Sequence, residues 1–277
     1  MGKTLGFYQN FNLDLQRLST ALRCVRADPE MGQNALAQCM SANRPVAEGF
    51  SAWLRHTGLV TIQSSDKPKS TSSYRLTPFG ELVSQYDPTL TDLGTQWILH
   101  YYLATEHTER SDAWYVLVNE FLSLGSTFTS DQFQSYFASV KGNEAKNRSA
   151  LMKDPQTALS TYVRTQALER LGILTKKDTT YSVSWPNLPH ILVIGYLLLD
   201  WWQNRYNQTN TLKFSELCRT QESLGRVCLA SDRQVRQFIL ELTGLGYLSF
   251  SETQHEPVHK LYTEPAHKLL ESYYFHQ

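Results

Sequence analysis

The side chains of this sequence that could do chemistry are mostly cations, and they fall in two sets. Arg44 opens one apolar-spaced segment, Arg55 and His56 close it, and Lys67, Lys69 and Arg75 follow within a polar stretch and the β-rich residues after it. Guanidinium forks and helix N-termini suit phosphate oxygens, and a helix entering the major groove presents its first residues to base edges. The second set is Lys141, Lys146, Arg148 and Lys153 with Lys176 and Lys177. Several phosphate contacts of this kind would release counterions and make affinity fall with salt. The plain alternative is that both sets are ordinary solvated charges on units that pack or dock proteins. Arg226, Arg233 and Arg236 stand with Asp232 and Glu241, a balance that favours a structural or partner-docking role there.

Acids that could serve catalysis are sparser. Asp131 with Glu144-Ala145-Lys146 imitates the acid, acid-x-lysine arrangement that holds Mg²⁺ in nucleases, but that arrangement needs adjoining strands and this segment reads as helix then loop. Asp200, inside Leu197-Leu198-Leu199-Asp200-Trp201-Trp202, is expected to be buried and paired with Arg205 or an indole N–H, because an unpaired carboxylate there would be costly. Cys24, Cys39, Cys218 and Cys228 form no C-x-x-C pair and read as buried small hydrophobes in a reducing compartment, so no metal site is expected.

Three stretches must position these groups, and each runs helix, glycine, short apolar strand: Trp53 to Val60 around Gly58, Ala167 to Leu174 around Gly172, and Glu241 to Leu248 around Gly244 and Gly246. Glycine past the last helical residue takes the left-handed conformation that closes the helix, and the β-rich residues after it start a strand. The third helix of a winged helix-turn-helix meets its wing in this way, and such modules mostly bind duplex nucleic acid or each other.

Apolar spacing predicts helices over 13–26, 31–40 and up to Thr57, the last with Asn43 as N-cap and Pro45 in its first turn. Strands at 59–63 and 73–77 bracket the polar wing 64–72. Helices are expected at 79–86, 92–105, 112–124, 130–140 and 156–171, with Asp92 and Ser130 as N-caps, then a second wing around Lys176-Lys177-Asp178. An apolar helix at 188–206, helices at 214–221 and 231–243, a strand at 247–251 and a helix at 264–274 complete the chain. The expected fold is mainly α with small β wings, two or three winged-helix-like modules around a helical middle. The divisions are 1–86, 87–206 and 207–277.

At 277 residues and 41% hydrophobic the chain can bury a sizeable core. Its longest apolar run, Ile191 to Leu199, is too short for a bilayer span, and no secretory leader is read at the N-terminus, so a soluble cytoplasmic protein without membrane contact is expected. Net charge is zero but segregated: residues 1–79 carry 9 Lys/Arg against 5 Asp/Glu, residues 80–131 carry 1 against 8, and residues 132–177 carry 8 against 3. A basic face on a neutral protein then requires the fold to join the two basic segments.

Leu76-Thr77-Pro78-Phe79-Gly80, the block from Asp87 to Tyr101, Trp114 to Phe121 and Leu188-Pro189-His190-Ile191-Leu192 resemble a bacterial family encoded beside DNA phosphorothioation genes, to which the SspB component of Ssp modification and defence systems is similar. The resemblance implies double-stranded DNA and other proteins of the modification system as partners, and leaves a homo-oligomer open. It also implies Asp92, His100 and Glu120 as the groups to weigh for metal ligation or proton transfer, against readings as an N-cap for Asp92 and a core histidine for His100. No cofactor is evident, and Mg²⁺ or Mn²⁺ enters only if the chain nicks DNA. Where such proteins open on a His-Glu-Thr/Ser-Phe tetrad this chain has Tyr8-Gln9-Asn10-Phe11, and of a Gly-rich turn with Lys before the third helix it keeps only the positive charge of Arg44.

Overall fold

The computed structural model describes residues 5–63, 73–107, 110–142 and 148–276, without the side chains of Gln63 and Arg148. It opens on three helices, α1 (Leu15–Ala27), α2 (Gln33–Cys39) and α3 (Arg44–His56). Asn43 caps α3 by accepting from the Val46 amide at 3.1 Å, and Pro45 sits in the first turn, where its missing N–H removes no helical bond. After α3, Gly58 takes a φ of +73° and the chain enters β1 (Val60–Gln63), which pairs antiparallel with β2 (Ser73–Leu76). A Cβ on Gly58 would come within 2.4 Å of the Tyr102 ring, so conformation and packing both demand glycine. Lys67 and Lys69 lie outside the described residues.

Cys24 and Cys39 are joined in a disulfide between α1 and α2, with Cα atoms 6.0 Å apart. This corrects the expectation of four reduced, buried thiols: Cys39 is exposed, and only Cys218 and Cys228 are buried free thiols. The two half-cystines face each other because α1 packs against α2, a proximity that linear spacing does not show.

The middle begins with α4 (Pro78–Tyr86) and α5 (Leu93–Ala104), capped by Thr77 and Asp92. Next α6 (Asp112–Val116) runs into a π-helical turn at Leu117–Phe121. After it come β3 (Thr127–Thr129), α7 (Ser130–Lys141) and α8 (Arg148–Thr161). The N-cap of α7 is Thr129 in place of Ser130, in a reciprocal box with Gln132. Helix α8 ends at Thr161, short of the expected Leu171. Ser160 and Thr161 turn their hydroxyls back onto the Thr157 carbonyl, and the β-branched Val163 and Thr165 just beyond lower the helix propensity. A 3-10 turn at Glu169–Leu171 then leads to Gly172, at φ +68°, and to β4 (Leu174–Lys177) and β5 (Thr180–Val183).

The last third starts from α9 (Ile191–Arg205), apolar nearly all round and buried against α5. It continues through β6 (Thr211–Lys213), α10 (Phe214–Arg219), α11 (Leu224–Val227) and α12 (Asp232–Gly244). Gly246 at φ +79° then precedes β7 (Leu248–Phe250), β8 (Pro257–Lys260) and α13 (His267–Phe275). Helix α13 returns to pack on both α9 and α4.

The chain is mainly helical with small antiparallel sheets. The two three-stranded sheets share one order, β3-β5-β4 and β6-β8-β7, so that in each the strand before the helices pairs with the last strand of the hairpin after them. Helix, strand, two or three helices, then hairpin is thus written twice, and α1 to β2 has the same form without its first strand. One buried cluster from Phe7 to Tyr274, including Trp53, Trp97, Trp114, Trp201 and Trp202, joins all of it. No helix among the described residues is long and apolar enough to cross a membrane.

Candidate nucleic-acid interface

Arg44 projects from the first turn of α3 with 64% of its side chain exposed and its Nε 2.8 Å from Glu48 Oε1. An exposed i,i+4 pair of this kind holds by only about 0.5 kcal/mol, so the guanidinium is readily given up to a phosphate. Arg55, on the last turn, is half-buried and engaged with its neighbours. Arg75 lies exposed on β2, directly across from Thr61 of β1.

His56 is withdrawn from the surface, which corrects its assignment as a DNA contact. It is 1% exposed, stacks on the Phe7 ring at 3.6 Å between centroids, and its Nδ1 is 2.9 Å from Ser111 Oγ. Helical phase explains this: His56 follows Trp53 by three residues and shares its inward face.

In the second set, Lys176 and Lys177 stand exposed on β4, with Lys176 Nζ 5.3 Å from the centroid of the Tyr181 ring. Lys141 is instead drawn inward to Asp112, Nζ to Oδ1 3.5 Å, and Lys153 Nζ reaches Asn10 Oδ1 at 3.3 Å. Lys146 falls outside the described residues, as does the side chain of Arg148, which begins α8. A groove of about 290 Å³ that linear reading missed runs beside α3, lined by Arg17 and Arg164 together with Asp14, Asn10, Asn12 and Phe50. Those two arginines come from distant segments, and no spacing signal could have paired them.

Two of the C-terminal arginines pair with acids near them in the chain, though not with the partners expected. Arg236 lies between Glu252 and Glu256 over the Phe214 ring, and Arg219 takes Asp232 at 2.7 Å. Arg226 donates to the carbonyls of Val118 and Asn119 and so holds the π-helical turn. Arg233 is exposed on α12.

Asp92, His100 and Glu120 have separate surroundings. Asp92 accepts from the Thr95 amide at 2.8 Å as the N-cap of α5 and from the Tyr273 hydroxyl. His100 is wholly buried. Its Nε2 is 3.0 Å from the Val227 carbonyl, which can only accept, so Nε2 carries the proton and Nδ1 accepts from Tyr162 at 2.7 Å. Burial lowers its pKa to about 4, with the Val227 bond opposing, and keeps it a neutral core group. Glu120 is 3.5 Å from the Tyr136 hydroxyl. Among the described residues no three His, Cys, Asp or Glu side chains are grouped to hold a metal.

Asp200 is half-buried, and its partners are not those expected. Its Oδ2 accepts from Tyr101 at 2.8 Å and from Asn204 at 3.0 Å, whereas Arg205 turns to Glu222 at 3.5 Å. Asn204 is one helical turn on and shares the face of Asp200; Arg205 does not.

The model of a family described as a protein of unknown function, DUF4007, matches residues 47–274. The chain belongs to this family. Two solved structures are similar to this DUF4007 protein, described as "Magnesium ion-bound SspB crystal structure" and "SspB crystal structure". The first has a TM-score of 0.82 at 16% identity and the second 0.81 at 17%, each alignment covering 98% of this chain and 88% of the other. At that identity the likeness is one of fold, and the SspB-like architecture extends over nearly the whole DUF4007 chain. No curated protein matches it.

Proposed function

We propose that this DUF4007 protein docks duplex DNA within an Ssp-type phosphorothioation or defence system, presenting the duplex to partner enzymes that carry out the modification. The carrying observation is the repeated unit of helices followed by an antiparallel hairpin, with strand order first, third, second in both complete copies. On this reading the units are winged helices, the divisions are residues 1–86, 87–206 and 207–277, and α3 is the helix that meets the groove. Arg44 anchors a phosphate at its N-terminus, Arg75 and the wing lysines Lys67 and Lys69 hold the backbone on one side, and Lys176 and Lys177 extend the track. The C-terminal unit, whose Arg219 and Arg236 are tied to its own acids, faces a protein partner. Similarity of fold to SspB supports the setting, and a cytoplasmic location is part of this proposal.

Fluorescence anisotropy of a labelled duplex titrated with the full chain at low salt tests this. Binding weakened by Arg44→Ala and further by Lys176→Ala with Lys177→Ala is the expected result; no binding, or binding indifferent to all three, overturns it.

A further inference from the structure

A cleft of about 330 Å³ opens between the hairpin β1–β2 and the C-terminal half of α9, separate from the exposed cations. Ile62 of β1 lines one side, and the rings of Tyr102 and His107, with centroids 4.4 Å apart, line another. Asp200 and Asn204 face it from successive turns of α9, and Arg55 contributes from the end of α3.

Two polar groups in this cleft have unused capacity. The hydrogen bonds to Asp200 both land on Oδ2, and among the described residues no donor reaches Oδ1. Among the described residues no hydrogen bond reaches the buried His107 Nε2, which lies 3.9 Å from Asp200 Oδ2. Leaving such an atom unsatisfied costs free energy that a ligand bonding to it would recover. Burial raises the Asp200 carboxyl and lowers the His107 imidazole, so each environment favours the neutral form, suited to reading donors and acceptors more than to holding an ion.

The lining selects against simple ligands. A lone cation would meet Arg55, and an apolar molecule would leave Asp200, Asn204 and His107 unsatisfied. Flat aromatic and aliphatic walls, donors and acceptors along one edge and a guanidinium apart from them complement a flat heterocycle joined to a phosphate. We infer that the cleft takes a single nucleotide, with the base edge on Asp200 and His107 and the phosphate toward Arg55. Such a nucleotide is either free or extruded from a duplex lying along the hairpin; the second source rests on the duplex-docking function, and the first does not.

The test uses the full chain, Asp200→Asn, and Ile62→Trp, which fills the cleft from a position that is 39% exposed and so spares the core. Each of the four 5′-deoxynucleoside monophosphates is titrated by calorimetry, and duplexes carrying single 2-aminopurines are titrated by fluorescence, with anisotropy reporting duplex binding. Saturable binding of any monophosphate, weakened about tenfold or more by each variant, supports the free source. No monophosphate binding, but a 2-aminopurine signal that rises with wild type and not with Ile62→Trp on duplex still bound, supports extrusion. The inference is overturned if monophosphates do not bind and 2-aminopurine stays dark on bound duplex, or if either signal persists unchanged in both variants. Absence of duplex binding ends the docking function, and the monophosphate titration alone then decides the cleft, against it if none binds.

Discussion

The Tyr8 hydroxyl donates a 2.7 Å hydrogen bond to Asp154 Oδ1, tying the N-terminal segment to α8 across most of the chain. The Gly6 amide takes the other carboxylate oxygen at 2.8 Å, and Asp154 is wholly buried. Burial raises its pKa from 3.8 to about 6, with the Tyr8 and Gly6 bonds pulling the other way.

A folded-state pKa above the unfolded one favours the native state most when the group is protonated. The contribution of Asp154 is therefore full below pH 3.8 and is lost as pH rises through about 6. The displacement corresponds to about 3 kcal/mol. Asp154→Asn removes this titration, so urea unfolding of wild type and variant should show a stability difference that changes by kilocalories between pH 4 and pH 7. A constant difference would show that Asp154 does not titrate there.

His100 acts in the opposite sense. With its folded pKa lowered from 6.5 to about 4, its contribution is present above 6.5 and is lost as pH falls through 4. His100→Gln should remove that acid-side loss while costing about 2–4 kcal/mol at pH 7 through two broken buried hydrogen bonds. Unfolding midpoints against pH for the variant check both parts, and an unchanged acid limb would contradict the neutral core histidine.

Gly58→Ala places a methyl group against Tyr102 at a φ of +73°. Strain and overpacking together should cost about 2–4 kcal/mol. Calorimetric melting measures it, and an unshifted melting temperature would show that the α3–β1 junction is not held as described.

Helix positions were readable because local chemistry marks them. Asn43 and Asp92 cap the helices they were expected to cap, and Gly58, Gly172 and Gly246 have positive φ where a helical stretch meets a strand. Strands β3, β6 and β8 were missed because three or four residues carry no period, and each is defined by a partner contributed from elsewhere in the chain. The same division runs through the site. Arg44 was legible from its place at a helix N-terminus, whereas the inward turn of His56, the Cys24–Cys39 bond and the meeting of Arg17 with Arg164 depend on how separate helices pack.

Phosphate-led docking by a protein of zero net charge makes one demand above the others, that affinity for duplex DNA fall steeply with salt. Anisotropy titrations of one duplex across a salt series measure the slope of log K against log salt. The account predicts a slope of about −3.6 to −5.4, for four to six phosphate contacts, reduced by about 1 in Arg44→Ala. A slope near zero, or no binding at the lowest salt, contradicts it.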